Sequence, residues 1–175
     1  MIGDKRYSEK TLKYYRKLGL DAVVKNISES RQPQLVIPLL TKYNPDILVI
    51  TGHDSMIKNG KNLLDIYNYR NSKYFVESVV NARKWQNSSD KLVIFAGACQ
   101  SFYEAIMEAG ADFASSPGRI LIDFIDPIIV AKIVATTDRR IYISAREISK
   151  MVKEGPQGVS GIGARGKKII YNKNV

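Results

Sequence analysis

The chain has 175 residues, 45% hydrophobic and 25% charged, which is typical of one folded domain and excludes a disordered or fibrous protein. Its apolar runs are all shorter than the roughly 20 residues that cross a bilayer, and its one cysteine excludes an internal disulfide. The net charge is +10, and residues 139–175 hold nine Lys and Arg but only two acidic residues, so the basic character belongs to the C-terminal segment.

Apolar runs of strand length alternate along the chain with segments of helical periodicity. This pattern predicts a three-layer α/β/α sandwich, in which a mostly parallel sheet has helices on both faces. In the first half of the chain we predict a helix with Ser8 as its N-cap residue, a strand, a second helix and a buried strand. These four elements cover residues 8–18, 20–28, 32–43 and 46–50.

The second half begins with a helix over residues 71–85 and a buried strand over 91–98. The predicted elements that follow are a helix at 101–110, strands at 112–116 and 120–123, a helix at 127–137, a strand at 140–144, a helix at 145–155 and a strand or hairpin arm at 159–172. We expect one domain over residues 1–175. Because such a sheet usually opens on a strand and only "MIG" is available, we also expect the later part of a longer protein.

The only histidine and the only cysteine of the chain each follow a buried strand. His53 ends the stretch "DILVITGH" and Cys99 lies in "KLVIFAGACQ", just after small residues that close an apolar run. In open parallel sheets, reactive groups gather at the carboxyl ends of the strands. The separation of 46 residues holds one loop and one crossover helix, as neighbouring parallel strands require. We therefore expect the imidazole and the thiol to meet at one edge of the sheet.

A thiol and an imidazole at one sheet edge suit nucleophilic catalysis. His53 can accept the proton of Cys99, whose thiolate attacks a carbonyl, and can later protonate the leaving amine. The N–H groups around Cys99, including that of Ala98, together with those beside Gly52 or Asp54, can hold the oxyanion.

Further residues are candidates for contacts with a substrate. Gly52 and Gly97 lack side chains and leave room for a substrate backbone. Asp112 and Asp126 can line a pocket for an Arg or Lys side chain, since a desolvated carboxylate pairs well with a guanidinium; helix capping and loop contacts are the alternative. Asp54 can orient the histidine or form an acidic wall.

A long polar connection, residues 56–75, follows the histidine. A loop in this place can cover a bound substrate. Arg70 and Asn71 are its candidate anchors, and helix capping by Asn71 or Ser72 is the alternative.

The same residues also have structural interpretations. A lone cysteine at the end of a buried strand is often an inert small hydrophobe, and a lone histidine after a strand is often a loop residue with satisfied hydrogen bonds. The string "GIGARG", residues 161–166, matches a dinucleotide-binding pattern, but only nine residues follow it, and we interpret it as a turn. One His and one Cys do not make a metal cluster, so no metal and no cofactor are predicted.

Longer stretches of the sequence resemble known proteases. An apolar strand followed by His, then an apolar strand followed by Ala-Cys, resembles the caspase-like (clan CD) cysteine proteases. Asp54 stands where that clan usually has glycine, and "GACQS" replaces its Q-A-C-x-G pattern. The sequence is also similar to the YabG family of sporulation-specific proteases. The similar segments, which cover most of the chain, are "PDILVITGHD", "YRNSKYFVESV", "DKLVIFAGACQSFYEAIMEAGADFASSP" and "GIGARGK".

The resemblance implies a caspase-like fold and a cysteine endopeptidase that processes spore-coat and cortex-related proteins, cutting after Arg or Lys. It assigns the catalytic positions to Cys99 and His53. It implies a location in the mother-cell cytoplasm of a sporulating bacterium or in the spore coat. It also implies an N-terminal region that this chain lacks, which agrees with the missing first strand.

A function of another class is the alternative. A flavodoxin-like, non-enzymatic binding module would use the basic C-terminal segment to contact nucleic acid. Aromatic residues are not interleaved with these charges as stacking platforms, which favours a solvated face. The expected partners are therefore protein substrates, and neither nucleic acid nor a membrane is expected.

Overall fold

The computed structural model describes residues 1–57 and 62–169. The helices in this part of the chain are α1 (Lys5–Lys17), α2 (Gln32–Tyr43), α3 (Ser72–Trp85), α4 (Tyr103–Glu108), α5 (Asp126–Thr136), α6 (Ala145–Ser149) and α7 (Gly155–Gly158). The strands are β1 (Ile47–Ile50), β2 (Val93–Ala96), β3 (Phe113–Ser115), β4 (Tyr142–Ile143), β5 (Val159–Gly161) and β6 (Ala164–Arg165). Among the described residues, none of the helices is long and apolar enough to cross a membrane.

Four strands form the central sheet in the order β1-β2-β3-β5. The first three are parallel, and β5 pairs antiparallel with β3. The register places Ile50 beside Ala96 and Ala96 beside Ala114, so the carboxyl ends of the parallel strands lie side by side. A separate two-stranded sheet joins β4 and β6. The predicted mostly parallel sheet is confirmed.

Alternate residues of the strands pack on opposite faces of the sheet. One core joins the strands to α2, α3 and α4, and the other joins them to α5 and α6. The first contains Leu48, Ile50, Ile94, Val36, Phe75 and Ile106, and the second contains Val93, Phe95, Phe113, Val130, Val134 and Ile148. The predicted α/β/α layering is therefore confirmed, because both faces of the sheet are buried under helices.

Elements with a strong local pattern lie where they are predicted. The helix at 32–43 has the predicted bounds, and the predicted helix 71–85 and strand 46–50 each begin one residue later. The first helix starts earlier than predicted, because the Asp4 carboxylate accepts the N–H groups of Arg6 and Tyr7 and so forms the N-cap. Ser8, the predicted N-cap residue, is buried inside the first turn.

Two predicted strands are wrong. Residues 20–28 are extended, with Leu20, Ala22 and Val24 packed on the core, but they reach the sheet only through Ile2, which bridges residues 26 and 51. Residues 120–123 form a loop along the carboxyl edge of the sheet instead of a strand. Both segments contain residues that favour strands, but the backbone of each pairs with a neighbouring segment at only one or two residues.

The predicted helix at 145–155 is divided. A capping box between Ser144 and Glu147 starts α6, which ends at Ser149, and Pro156 then lies at the start of α7, where proline is tolerated. The predicted arm at 159–172 becomes β5 and β6, which belong to different sheets, and residues 170–172 lie outside the described part of the chain.

An ion pair closes the edge of the sheet where the parallel strands begin. The Arg83 guanidinium donates to the Asp112 carboxylate at 2.7 Å and to the carbonyl groups of Gly110 and Leu92. Asp112 is fully buried and also accepts from the Ser89 hydroxyl and the Ile94 N–H. A buried carboxylate with this set of donors stabilises the fold only while its charged partner is present.

Replacing Arg83 by Ala should therefore destabilise the protein strongly, since it leaves the charge of Asp112 buried without its cation. We expect the free energy of unfolding to fall by about 3–5 kcal/mol, measured by urea denaturation. Lys84→Ala, at the exposed neighbouring position, is the matched control and should change it by less than about 0.5 kcal/mol. Equal stability of the two variants would contradict a stabilising role for the ion pair.

Candidate active site

The histidine and the cysteine lie at matching positions on neighbouring strands. Ile50 of β1 pairs with Ala96 of β2, and His53 and Cys99 each follow three residues later. The chain leaves β2 through Gly97, whose φ of +106° favours glycine, and Gln100 also has a positive φ. The loops that carry His53 and Cys99 thus both leave the carboxyl edge of the sheet.

The thiol of Cys99 is partly exposed and lies beside the loop that follows β3. The Ile122 N–H group donates to Sγ at 3.4 Å, and the Ile122 carbonyl oxygen is 3.7 Å from Sγ. In the described part of the chain, no hydrogen bond joins Sγ to His53. The position is open to a reagent, because Cys99 is not sealed in the core.

His53 is the more exposed of the two, with 59% of its side chain accessible. Its backbone N–H donates to Glu29 Oε1 at 2.7 Å, and its Nδ1 lies 4.0 Å from the same oxygen. Its Nε2 lies 3.9 Å from Asp4 Oδ2. The Tyr7 ring is 6.1 Å from the imidazole and 5.4 Å from the Phe124 ring, so an aromatic wall flanks the histidine.

The Asp54 carboxylate connects the two strand-end loops. Its Oδ1 accepts the N–H groups of Ser55 and Asn71, and its Oδ2 accepts the hydroxyl groups of Ser72 and Ser101. Burial raises the pKa of Asp54, while these hydrogen bonds act in the opposite direction. We predicted that Asp54 orients the imidazole of His53. The hydrogen bonds of its carboxylate go to those four groups instead.

The two serines extend this connection to the cysteine loop. The Ser101 hydroxyl accepts the N–H of Ala98 at 2.9 Å, and the Ser72 hydroxyl accepts the N–H of Phe102 at 2.8 Å. The backbone on both sides of Cys99 is therefore tied to Asp54 through one intervening hydroxyl. We use the name Asp54 strut for Asp54 with Ser72 and Ser101.

The strut also affects which backbone donors are free. The N–H groups of Gly97 and Ala98 are already bonded, to the Ile50 carbonyl and to Ser101. Within residues 1–57 and 62–169, the N–H groups of Gly52, Asp54 and Cys99 have no hydrogen-bond acceptor.

The space beside the two predicted glycines is occupied. A Cβ atom at Gly52 would lie 2.2 Å from Glu29 Oε1, so the carboxylate of Glu29 fills the room predicted for a substrate backbone. A Cβ atom at Gly97 would meet Ile106 and Ser115 at 3.3 Å, inside the domain. Gly52 therefore makes room for a neighbouring side chain of the protein itself, and Gly97 serves both packing and backbone conformation.

The two predicted pocket aspartates are engaged inside the protein. Asp112 precedes β3 and binds Arg83 at the opposite edge of the sheet from Cys99, so the structure does not bring it to the candidate site. Asp126 is 1% exposed at the start of α5, where it accepts the Asp123 N–H, and burial raises its pKa. Neither carboxylate faces a groove beside the cysteine.

Asn71 anchors the polar connection, as predicted, but not as a helix cap. Its side chain donates to the His53 carbonyl at 2.8 Å and makes no capping hydrogen bond to α3. The Arg70 N–H donates to the Ser55 carbonyl. Part of this connection, residues 58–61, lies outside the described residues.

Sequence reasoning missed several residues that the structure brings to this edge. They are Asp4, Tyr7, Glu29, Ser101, Ile122 and Phe124. Ser101 had a signal, since it is the last residue of "GACQS", whereas no spacing rule links residue 29 to residue 53. Among the residues that the structure describes, no three His, Cys, Asp or Glu side chains converge as a metal site.

The fold and this edge define an α/β domain that carries a thiol and an imidazole at the carboxyl ends of adjacent parallel strands. The chain belongs to the YabG peptidase U57 family, whose model matches residues 1–171. A Bacillus subtilis (strain 168) protein named sporulation-specific protease YabG is 42% identical over 164 residues, which are 94% of this chain and 57% of that protein. The chain thus spans little more than half of that relative. No solved structure matches it.

Removing the carboxylate of Asp54 should weaken the fold at the site. Asp54→Ala leaves two hydroxyl and two N–H donors without their acceptor, so we expect the free energy of unfolding to fall by roughly 3 kcal/mol in urea denaturation. The exposed Asp21→Ala is the matched control and should stay within about 0.5 kcal/mol of the parent. A loss for Asp54→Ala no larger than this control would contradict the strut.

Proposed function

We propose that the chain is the catalytic domain of a cysteine endopeptidase in which Cys99 is the nucleophile and His53 the general base and acid. The observation that carries the proposal is the matched position of the two side chains after Ile50 and Ala96, on adjacent parallel strands. Membership of the peptidase family and a partly exposed thiol support it. Each structural alternative explains one residue alone, whereas catalysis explains why both lie at the same edge.

The proposed reaction proceeds in two halves. The thiol proton moves to His53 as the Cys99 sulfur bonds to the scissile carbonyl carbon, and the carbon–nitrogen bond then breaks as the imidazolium gives its proton to the leaving amine. Water next attacks the thioester carbonyl carbon as it gives a proton to His53, and the carbon–sulfur bond then breaks to release the acid while the imidazolium returns the proton to the sulfur.

The free N–H groups at the two strand ends suit the oxyanion of this reaction. In the proposed mechanism the N–H of Cys99 and the N–H of Asp54 donate to the carbonyl oxygen as its negative charge develops. Both are among the three N–H groups at these strand ends that have no acceptor in the described structure, the third being that of Gly52, while those of Gly97 and Ala98 are engaged. The Asp54 strut holds both donors because it is bonded to both loops.

We propose further that the substrates are spore-coat and cortex-related proteins, cut after Arg or Lys in a sporulating cell. The name of the Bacillus subtilis relative supports the sporulation role. The Asp4 carboxylate beside the imidazole, and Asp123, which follows Ile122 in the chain, are acidic groups at this edge that suit a basic side chain. The substrate therefore approaches a site whose charge complements its own.

The basic C-terminal segment gives little support to the nucleic-acid alternative. Arg139, Arg140, Arg165 and Lys167 line a cavity of about 410 Å³, together with Asp46 and Asp90. The Arg140 guanidinium binds Asp138, and Lys167 donates to the Asp90 carbonyl. Arg140 and Lys167 are thus engaged with groups of the protein itself, which agrees with the interpretation as a solvated face.

The first test removes the two catalytic groups one at a time. Cys99→Ala and His53→Ala should each lower kcat/KM for a peptide substrate by about 10³-fold or more, since each removes a group that bonds to or exchanges protons with the reacting atoms. The exposed Lys84→Ala is the control and should keep full activity. Unchanged cleavage by the Cys99 variant would end the proposal.

The second test concerns the residue before the cut. A panel of peptides that differ only at this position should be cleaved at least about tenfold faster with Arg or Lys than with Leu or Asp, because unlike charges attract at the acidic edge. Peptide cleavage is followed by mass spectrometry, which also locates the cut. A preference for Asp would show that the pocket has been assigned the wrong charge.

A further inference from the structure

Glu29 contacts the histidine loop from a distant part of the chain. It lies in the 3-10 turn Glu29–Arg31, just ahead of α2. Its Oε1 accepts the backbone N–H of His53 at 2.7 Å and lies 4.0 Å from Nδ1 of the imidazole. Only 13% of its side chain is exposed. One carboxylate oxygen therefore meets both the main chain and the ring of the same residue.

Two glycines make the space that this carboxylate fills. A Cβ atom at Gly3 would lie 2.0 Å from Glu29 Oε1, and one at Gly52 would lie 2.2 Å from it. Neither glycine has a positive φ, so backbone conformation does not require glycine at either position. The absence of both side chains is explained by the carboxylate, which is held between residues before α1 and residues after β1.

The second carboxylate near the imidazole has another role. Asp4 caps α1 through the N–H groups of Arg6 and Tyr7, which accounts for its position. In the described residues, the hydrogen bond and the ion contact of Glu29 both go to His53. The contact with His53 is thus the one that explains why the Glu29 carboxylate lies in the space beside Gly3 and Gly52.

We propose that Glu29 is a positioning residue for His53. The proposal rests on the proposed function, since it assigns to Glu29 the task of holding the proposed general base. The N–H···O bond fixes the backbone at His53, and the adjacent negative charge orients the ring and favours the imidazolium that forms when the thiol proton is transferred. Glu29 touches neither the substrate nor the sulfur and acts through the histidine alone.

The test uses Glu29→Gln, which keeps the shape of the side chain and an oxygen acceptor but removes the charge. The control is Glu9→Gln, at an exposed position of α1. Two rates are measured: peptide cleavage, and alkylation of Cys99 by iodoacetamide, which reports on this thiol alone because the chain has one cysteine. We expect Glu29→Gln to lower kcat/KM and the alkylation rate about 10- to 100-fold, and Glu9→Gln to change neither.

The same substitution is then made in the His53→Ala background. A residue that acts through the histidine has nothing left to act on there, so Glu29→Gln should cause no further loss of the alkylation rate. Gly52→Ala should reproduce the effect of Glu29→Gln, because its Cβ atom displaces the carboxylate. Thermal unfolding of each variant shows whether the folded state is kept.

The outcomes separate the two proposals. Normal rates for Glu29→Gln, or an equal further loss in the His53→Ala background, would overturn the positioning role. If Cys99→Ala is inactive at the same time, the proposed function stands without it. Full peptide cleavage by Cys99→Ala would instead overturn the proposed function itself, whatever the Glu29 variants do.

Discussion

The buried carboxylate of Asp54 is the contact on which the rest of the site depends. It accepts hydrogen bonds from three separate segments, namely the histidine loop at Ser55, the start of α3 at Asn71 and Ser72, and the cysteine loop at Ser101. A carboxylate taken out of water is costly unless its oxygens are bonded, so these segments must close around it together. The loops after β1 and β2 are held at fixed positions relative to each other, because the Asp54 carboxylate is hydrogen-bonded to both.

The buried ion pair and the two exposed candidate side chains lie at opposite edges of the sheet. Where the parallel strands begin, Arg83 and Asp112 bind each other and the main chain, and nothing in that cluster is left for a ligand. Where the strands end, His53 and Cys99 are accessible on loops that a fully buried β2 holds in place. In the proposed function this separation lets the loops react at one edge while the core stays rigid.

The sequence predicts those parts of the fold that local pattern determines. The apolar runs predict β1 and β2, and the register in the structure brings the loops of His53 and Cys99 to the same edge of the sheet. Residues 20–28 and 120–123 also have strand-like composition, but strand formation needs a paired neighbour along its length, and that depends on tertiary position. Glu29 could not be predicted for the same reason, because its contact with His53 requires two glycines from different segments.

The resemblance to caspase-like proteases, which stays a prediction, would place glycine at position 54, and the hydrogen bonds of Asp54 give a physical account of the difference. Its φ is not in the positive region, so the backbone there does not require glycine. Its side chain points into the protein and accepts the Ser101 hydroxyl of the strut, while its N–H has no acceptor among the described residues. In the proposed mechanism the oxyanion donor is a backbone group, which any residue can supply if its side chain is kept away from the substrate. Asp54 meets that condition, and by the same hydrogen bonds it fixes the loop that carries Cys99.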